Sequence, residues 1–432
     1  MSTRVAFVCQ WYPPEPVEIP AGIVAALGDQ GLDVEVLTGI PNYPSGNVRE
    51  GYRAGSRTTE EHAGVVVHRT PLYPSHDASA RGRLMNYASW ALSSALLGQR
   101  LLRRSDVALV YSSPATAALP AMAGKVLWGT PYVLLVQDVW PDSIFASGFL
   151  TGRASRLVER AVDVFVRRAY AMASHVAVIS PGMIDLLGSR GVPDDKLSLV
   201  YNWLPDAELA VADDDSATEG LRVRLGIPPA ESVFLYAGNH GKAQALEPLV
   251  DAFVEQVTEP SHLVLIGSGV SKADLVARAS GSDRVHFLDP VSRAEAARLT
   301  ASSDFHVVSL ADEPLFAVTM PSKVQSGLAA GRPMLVVSRG DCAELVSTGG
   351  AGRDAQPGSR TAIASAVVEL AAQDPEERAD MGRRGRELYG RLMAREVGSA
   401  RLAELLRSAS SKPRGRGRVR GEVSTDQRRN AQ

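Results

Sequence analysis

Cysteine is nearly absent: 432 residues contain two, Cys9 and Cys342. Two thiols cannot build a disulfide framework or a cysteine-rich metal site, and such sparing use suits a reducing cytoplasm. An excess of either charge is also lacking. Lys plus Arg number 46 against 48 for Asp plus Glu, a formal net charge of -2. That balance excludes a dedicated nucleic-acid binder and an acidic disordered chain, so no nucleic-acid partner is expected. The eight histidines show no HxH or HExxH spacing and no GxSxG occurs. A structural zinc and a hydrolase nucleophile elbow therefore have no support.

Long apolar runs are missing too. The start, MSTRVAFVCQWYPPEP, reaches Pro13 without the apolar region and small-residue cleavage site of a signal peptide. The stretch nearest to a membrane span, Leu84–Gln99, is uncharged but too short, and it contains Asn86, three serines and Gln99. Arg81 and Arg83 precede it, and Arg100, Arg103 and Arg104 follow. Two readings stay open: a core-facing helix with solvated ends, or an amphipathic helix lying on an anionic bilayer.

What the chain has is repetition. Apolar residues make up 45%, and the length suits two domains or one large one. Short β-branched runs at 5–10, 34–39, 65–70, 107–113, 132–138, 176–180 and 197–202 alternate with helical stretches such as 21–30, 115–128 and 155–173. After the aperiodic, acidic WLPDAELAVADDDSATEG the pattern restarts, with strands at 233–238, 262–267, 285–288, 305–310 and 333–337. Continuous apolar strands alternating with helices predict parallel sheets covered on both faces. The expected class is α/β, two doubly wound Rossmann-like domains facing across a cleft. The boundaries are 1–203 for the first domain, 204–224 for a linker and 225–390 for the second domain. A C-terminal helix over 391–409 and a basic tail over 410–432 follow, the helical character beginning near residue 375. Ligands in such sheets bind beyond the carboxyl ends of the strands.

The strongest local signal is Thr319-Met320-Pro321-Ser322-Lys323, ahead of VQSGLAAGRP. Pro321 suits the first turn of a helix, Thr319 or Met320 its cap, and Gly331 its end. Free N–H groups, the Ser322 hydroxyl and the Lys323 ammonium would form an anion site; the alternative is an ordinary helix with a solvent-facing lysine. A second candidate is Gly238-Asn239-His240-Gly241-Lys242 at a strand end, with Gly267-Ser268-Gly269 repeating the theme after the next strand. In the first half, Gln137, Asp138, Trp140 and Asp142 follow an apolar strand, and Ser113 occupies the matching end of another. Carboxylates there could orient a hydroxyl or stabilise a developing cation, or one could cap a turn. Asp213–Asp215 reads as a solvated charge run in the linker.

In order and spacing, the segments WYPPEPVEIPAGIVAALGDQG, LTGIPNYPSGNVREGY, VQDVWPDSIFASGFL, VAVISPGM, YNWLPD, YAGNHGKAQALEPLV and MPSKVQSGLAAGRP resemble a retaining, GT4-like glycosyltransferase of GT-B fold. The likeness covers about residues 4 to 390 and is strongest to the bacterial branch that builds capsule, O-antigen and exopolysaccharide. It implies a nucleotide-diphosphate-sugar donor, UDP or GDP, held by the second domain. It also implies a glycan or polyprenyl-linked acceptor on the first domain, and no obligatory metal or other cofactor. By this resemblance Gly238, Asn239, Gly241 and Lys242 match the diphosphate loop. Gly267, Thr319, Pro321, Ser322 and Lys323 lie with the donor. Gln137 and Asp138 face the reacting sugar, and Tyr43, Pro44, Ser113 and Trp140 lie near the acceptor. Asp138, Lys242 and Lys323 are the catalytic candidates.

Two departures stand out. The family's paired glutamates fall here on Val318 and Ser326, which leaves Glu344 as the candidate carboxylate toward the nucleotide ribose. The family's glycine-rich loop after YPPE reads Val17-Glu18-Ile19-Pro20, with Gly22 later. A sugar-nucleotide 2-epimerase and an inactive sugar-nucleotide-binding partner are the alternatives. The charge balance also conceals an asymmetry. From Ser410 onward seven basic and two acidic residues give +5, so the first 409 residues carry -7. This tail, expected to be disordered, and the 84–104 helix are the expected peripheral membrane contacts, at the inner face of the plasma membrane.

Overall fold

The apolar runs form two sheets. The computed structural model describes residues 2–75, 80–142, 153–210 and 216–411. In the first half the strands are β1 Arg4–Val8, β2 Asp33–Gly39, β3 Thr58–His62, β4 Val65–Thr70, β5 Val107–Ser112, β6 Tyr132–Val136, β7 His175–Val178 and β8 Leu197–Leu199. They pair in the order β3-β4-β2-β1-β5-β6-β7-β8. Every pairing is parallel except β3 with β4. In the second half β9 Ser232–Ala237, β10 Ser261–Ile266, β11 Val285–Leu288, β12 Phe305–Ser309, β13 Met334–Val337 and β14 Gly352–Ala355 form a wholly parallel sheet ordered β11-β10-β9-β12-β13-β14. All five residues of β6 and all six of β10 are buried, as central parallel strands require.

Two strands escaped the sequence reading. β3, TTEEH, lies in the long connection after Gly39 and alternates half-buried with exposed. It turns back onto β4 through Ala63 and Gly64, both in the left-handed region. β14 has the sequence GRDA, with no apolar run to mark it. The segment read as a linker carries two short helices, Asp206–Leu209 and Ser216–Leu225. The triplet Asp213–Asp215 and residues 412–432 of the basic tail lie outside the described residues.

The helical stretch from 375 is two helices. Pro375–Leu392 starts at a capping box, with Asp374 accepting from the Glu377 N–H at 2.8 Å and Glu377 accepting from the Asp374 N–H at 3.4 Å. Arg395–Ser411 then crosses to the first sheet, where Leu402, Leu405 and Leu406 join the core around Phe7, Leu109 and Val133. The second domain has its own core, centred on Phe234 stacked on Phe305 at 4.4 Å, with Phe253 edge-on.

Polar contacts tie the two halves together at their facing ends. The Ser180 hydroxyl donates to the Val318 carbonyl at 2.6 Å, and the Gly182 N–H to Asp341 at 2.8 Å. A Cβ on Gly182 would stand 2.7 Å from Val318, so only glycine permits this approach.

Candidate functional site

The loop after β9 is built from backbone that lacks side chains for a reason. Gly238 has φ +148, and a Cβ there would sit 2.6 Å from the Lys323 ammonium. Gly267, at φ +144 after β10, would meet the Gly238 carbonyl at 1.9 Å, and Gly269 would meet the His240 carbonyl at 2.3 Å. The two loops lie back to back, joined by Gly238 N–H to the Ile266 carbonyl and His240 N–H to the Ser268 carbonyl, each at 2.8 Å. Gln244 fixes the next turn by accepting from the Gly241 N–H at 3.2 Å and the Asn239 amide at 3.3 Å.

Against this double loop stands the helix Ser322–Ala329. Its cap is Pro321 itself, with no side-chain cap; Thr319 instead donates to the Leu315 carbonyl at 2.8 Å. The helix stops where Gly331 takes φ +63. Lys323 reaches under the loop, its ammonium 5.0 Å from the centre of the Tyr236 ring. No carboxylate among the described residues pairs with it, and burial lowers its pKa from the usual lysine value. An ammonium held this way gains from any anion placed beside it.

The loop, the helix and the interdomain crossing line an open cavity of about 500 Å³. Gly238, Asn239, Gly267, Ser322 and Lys323 line it, as the sequence led one to look for, together with Ile19 of the first domain and Trp203 of the crossing. Lys242, Gly241, Thr319, Pro321 and Glu344 are not among its lining residues. Lys242 opens the turn Lys242–Gln244 and is exposed, and Glu344 is exposed on the helix Asp341–Thr348. The carboxylate that does line the cavity is Glu208, 3.5 Å from Arg293, which also pairs with Glu18 of the first domain at 2.9 Å. Burial raises the Glu208 pKa. Sequence reading missed Glu208, Arg293 and His306, which lie outside a recognisable motif, and Gln325, which sits inside the segment MPSKVQSGLAAGRP but is not singled out there. Among the described residues no group of three or more His, Cys, Asp or Glu side chains could hold a metal ion.

On the first domain, Asp138 follows β6 and accepts from the Ser113 hydroxyl at 2.8 Å. Its surface is open on one side, yet the surrounding protein desolvates the carboxyl enough to raise its pKa, against the Ser113 hydrogen bond. Four rings make a continuous chain beside it. Trp11 lies 5.2 Å from Tyr43 and 6.0 Å from Tyr87, and Tyr87 lies 6.0 Å from Trp140. Gln137 is buried, and its amide is paired in both directions with Asn202, at 2.7 and 3.2 Å. Asp142 pairs with Arg190 at 2.8 Å. The loop bearing Tyr43 and Pro44 is pinned by Glu15, which accepts from the N–H groups of Asn42 and Tyr43 at 2.8 Å and of Tyr12 at 3.1 Å.

Two parallel-sheet domains, with a cation-floored cavity beyond the strands of the second and a carboxylate-aromatic face on the first, define a GT-B glycosyltransferase. The chain belongs to that family: the "Glycosyl transferase 4-like domain" matches residues 19–203 and "Glycosyl transferases group 1" matches residues 231–373. It is similar to WcaI of Escherichia coli, named for glycosyl transfer in colanic acid biosynthesis, with 30% identity over 72% of this chain and 76% of that one. It is similar also to the glycosyltransferase WbjE of Pseudomonas aeruginosa, 26% identical over 63% of this chain and 68% of the other. The solved structure of HepE from Anabaena with UDP-glucose shares the fold, with TM-score 0.65 and 16% identity over 94% of this chain and 99% of that one.

Proposed function

We propose that this transferase moves a sugar from a nucleotide-diphosphate donor, UDP- or GDP-linked, to a hydroxyl of a glycan or lipid-linked sugar, with retention at the anomeric carbon. The cellular role is synthesis of surface polysaccharide. The observation that carries the reading is the half-buried Lys323 ammonium beside Gly238 at the floor of the 500 Å³ cavity. WcaI's name and the UDP-glucose in HepE support the substrate classes.

A diphosphate leaving group gains charge as the glycosidic bond breaks. Lys323, the uncapped N–H groups at Ser322 and, from outside the cavity lining, Lys242 stabilise that charge, and the departing phosphate receives the acceptor proton. Asp138 faces the oxocarbenium-like sugar from the other domain, with Ser113 orienting its carboxyl. Gln137 acts indirectly, by fixing Asn202 at the crossing. The aromatic chain of Trp11, Tyr43, Tyr87 and Trp140 offers the apolar face of an acceptor sugar a surface to stack on.

The acceptor's lipid would bring the enzyme to an anionic membrane. No helix among the described residues is long and apolar enough to cross one. The helix Ala80–Leu97 buries Asn86, Trp90 and Ser94 while exposing Met85, Leu92 and Leu96, the last to 78%. The exposed Val126, Leu127 and Trp128 end the neighbouring helix, with the Arg103 guanidinium over the Trp128 ring at 5.5 Å. Apolar residues beside arginines suit the interface of an anionic bilayer.

The test is thermal stabilisation by UDP, GDP and dTDP, then by their sugars, followed by turnover with lipid-linked acceptors. One nucleotide should stabilise wild type and release of that nucleotide should require acceptor. Absence of stabilisation by every nucleotide and nucleotide sugar would sink the reading.

A further inference from the structure

The cavity is lined by two buried polar side chains, one of which the protein leaves without a partner. His306, on β12, is 1% exposed and neither ring nitrogen makes a hydrogen bond among the described residues. The Lys323 main chain lies close by, outside hydrogen-bonding geometry. Gln325 is 2% exposed on the helix Ser322–Ala329. Both line the cavity. Gly327 makes room for the imidazole, since a Cβ there would stand 2.7 Å from its Cδ2. Buried polar groups are almost always hydrogen-bonded, so an unpartnered imidazole in a cavity lining that also contains a buried carboxamide marks a place that a ligand completes.

Their chemistry says which part of a ligand. Burial and the Lys323 charge depress the His306 pKa to about 4, so the ring is neutral at physiological pH. A neutral imidazole and a carboxamide each offer a donor and an acceptor, whereas phosphate oxygens only accept and are served by Lys323 next door. Hydroxyl groups both donate and accept. We propose that His306 and Gln325 form a neutral floor that hydrogen-bonds the hydroxyls of the sugar ring attached to the diphosphate, the ribose or the transferred sugar. The inference rests on the donor reading of this cavity and adds the residues that read the ring.

The test uses full-length protein with His306→Leu, Gln325→Met and Lys323→Ala, and calorimetric titration with pyrophosphate, UDP and UDP-glucose (GDP and GDP-mannose if GDP is the base wild type prefers). Lys323→Ala should weaken all three ligands. His306→Leu and Gln325→Met should leave pyrophosphate binding unchanged and weaken a ring-bearing ligand about tenfold. Loss with both UDP and UDP-glucose assigns the ribose; loss with UDP-glucose alone assigns the transferred sugar. The melting temperature of unliganded protein separates a structural role, because replacing an unpartnered buried polar group by an apolar one of similar size should hold or raise it. Unchanged affinity for UDP and UDP-glucose, or a lowered melting temperature in both variants, overturns the proposal. If wild type binds no nucleotide at all, the donor reading itself falls, a result distinct from either.

Discussion

At Gly238 a single hydrogen atom is the condition for the Lys323 ammonium to lie against the loop. Gly238→Ala would drive a methyl group to 2.6 Å from the Lys323 ammonium at a φ of +148 that side chains avoid. The expected result is weakened nucleotide binding and a lowered melting temperature, measured by calorimetry and thermal scan. Lys323→Ala removes the cation without disturbing backbone. If the ammonium acts on the leaving group, kcat/KM should fall by about 3 kcal/mol of transition-state stabilisation, in steady-state kinetics with the accepted donor. Glu15 supplies a pH signature. Desolvation outweighs its three backbone hydrogen bonds and raises its pKa from 4.5 to about 7 in the folded protein. The folded state therefore holds this proton more tightly than the unfolded chain. Its contribution to stability is full below pH 4.5 and is lost as pH rises to about 7. Glu15→Gln should flatten that part of the stability profile, read as melting temperature between pH 5 and 8.

Among elements, legibility followed apolar content. The central strands announce themselves as β-branched runs because both faces are buried. β3 and β14 carry TTEEH and GRDA, and what makes them strands is the neighbour they pair with, which local sequence does not record. The same holds at the site. Ser322, Lys323 and the glycines near 238 sit in compact motifs, whereas the closeness of Gly238 to Lys323, across 85 positions of sequence, is set by the order of β9 and β12 in the sheet. Glu344 was the candidate only because the family's glutamate pair falls on Val318 and Ser326; the carboxylate that lines the cavity is Glu208. The closing helix Arg395–Ser411 carries a strong expectation of its own. Its three core leucines each contribute about 2 kcal/mol on burial, so ending the chain before Arg395 should remove most of the first domain's margin of stability. Urea unfolding of the shortened protein should show this domain melting at much lower denaturant than the second.

For the whole molecule, the exposed apolar stripe and its arginines predict a membrane-facing side. Leu96→Ser with Trp128→Ser should reduce co-sedimentation with anionic vesicles while leaving nucleotide binding intact, and rising salt should weaken the wild-type association. Equal sedimentation of variant and wild type would exclude this face. The return of the last helix to the first sheet has a consequence in time. The first domain is finished only when residues 395–411 exist, after the whole second domain has been synthesised. At roughly 5–20 residues per second, the first two hundred residues wait on the order of 10–40 seconds at the ribosome with Leu109 and Val133 short of their final cover. The second domain, contiguous in sequence, is complete once residue 392 is made and does not wait for the closing helix. A released chain ending at residue 394 should accordingly show a protease-resistant second domain and a protease-sensitive first one. The part of the enzyme made earliest would then be the part that depends longest on chaperones.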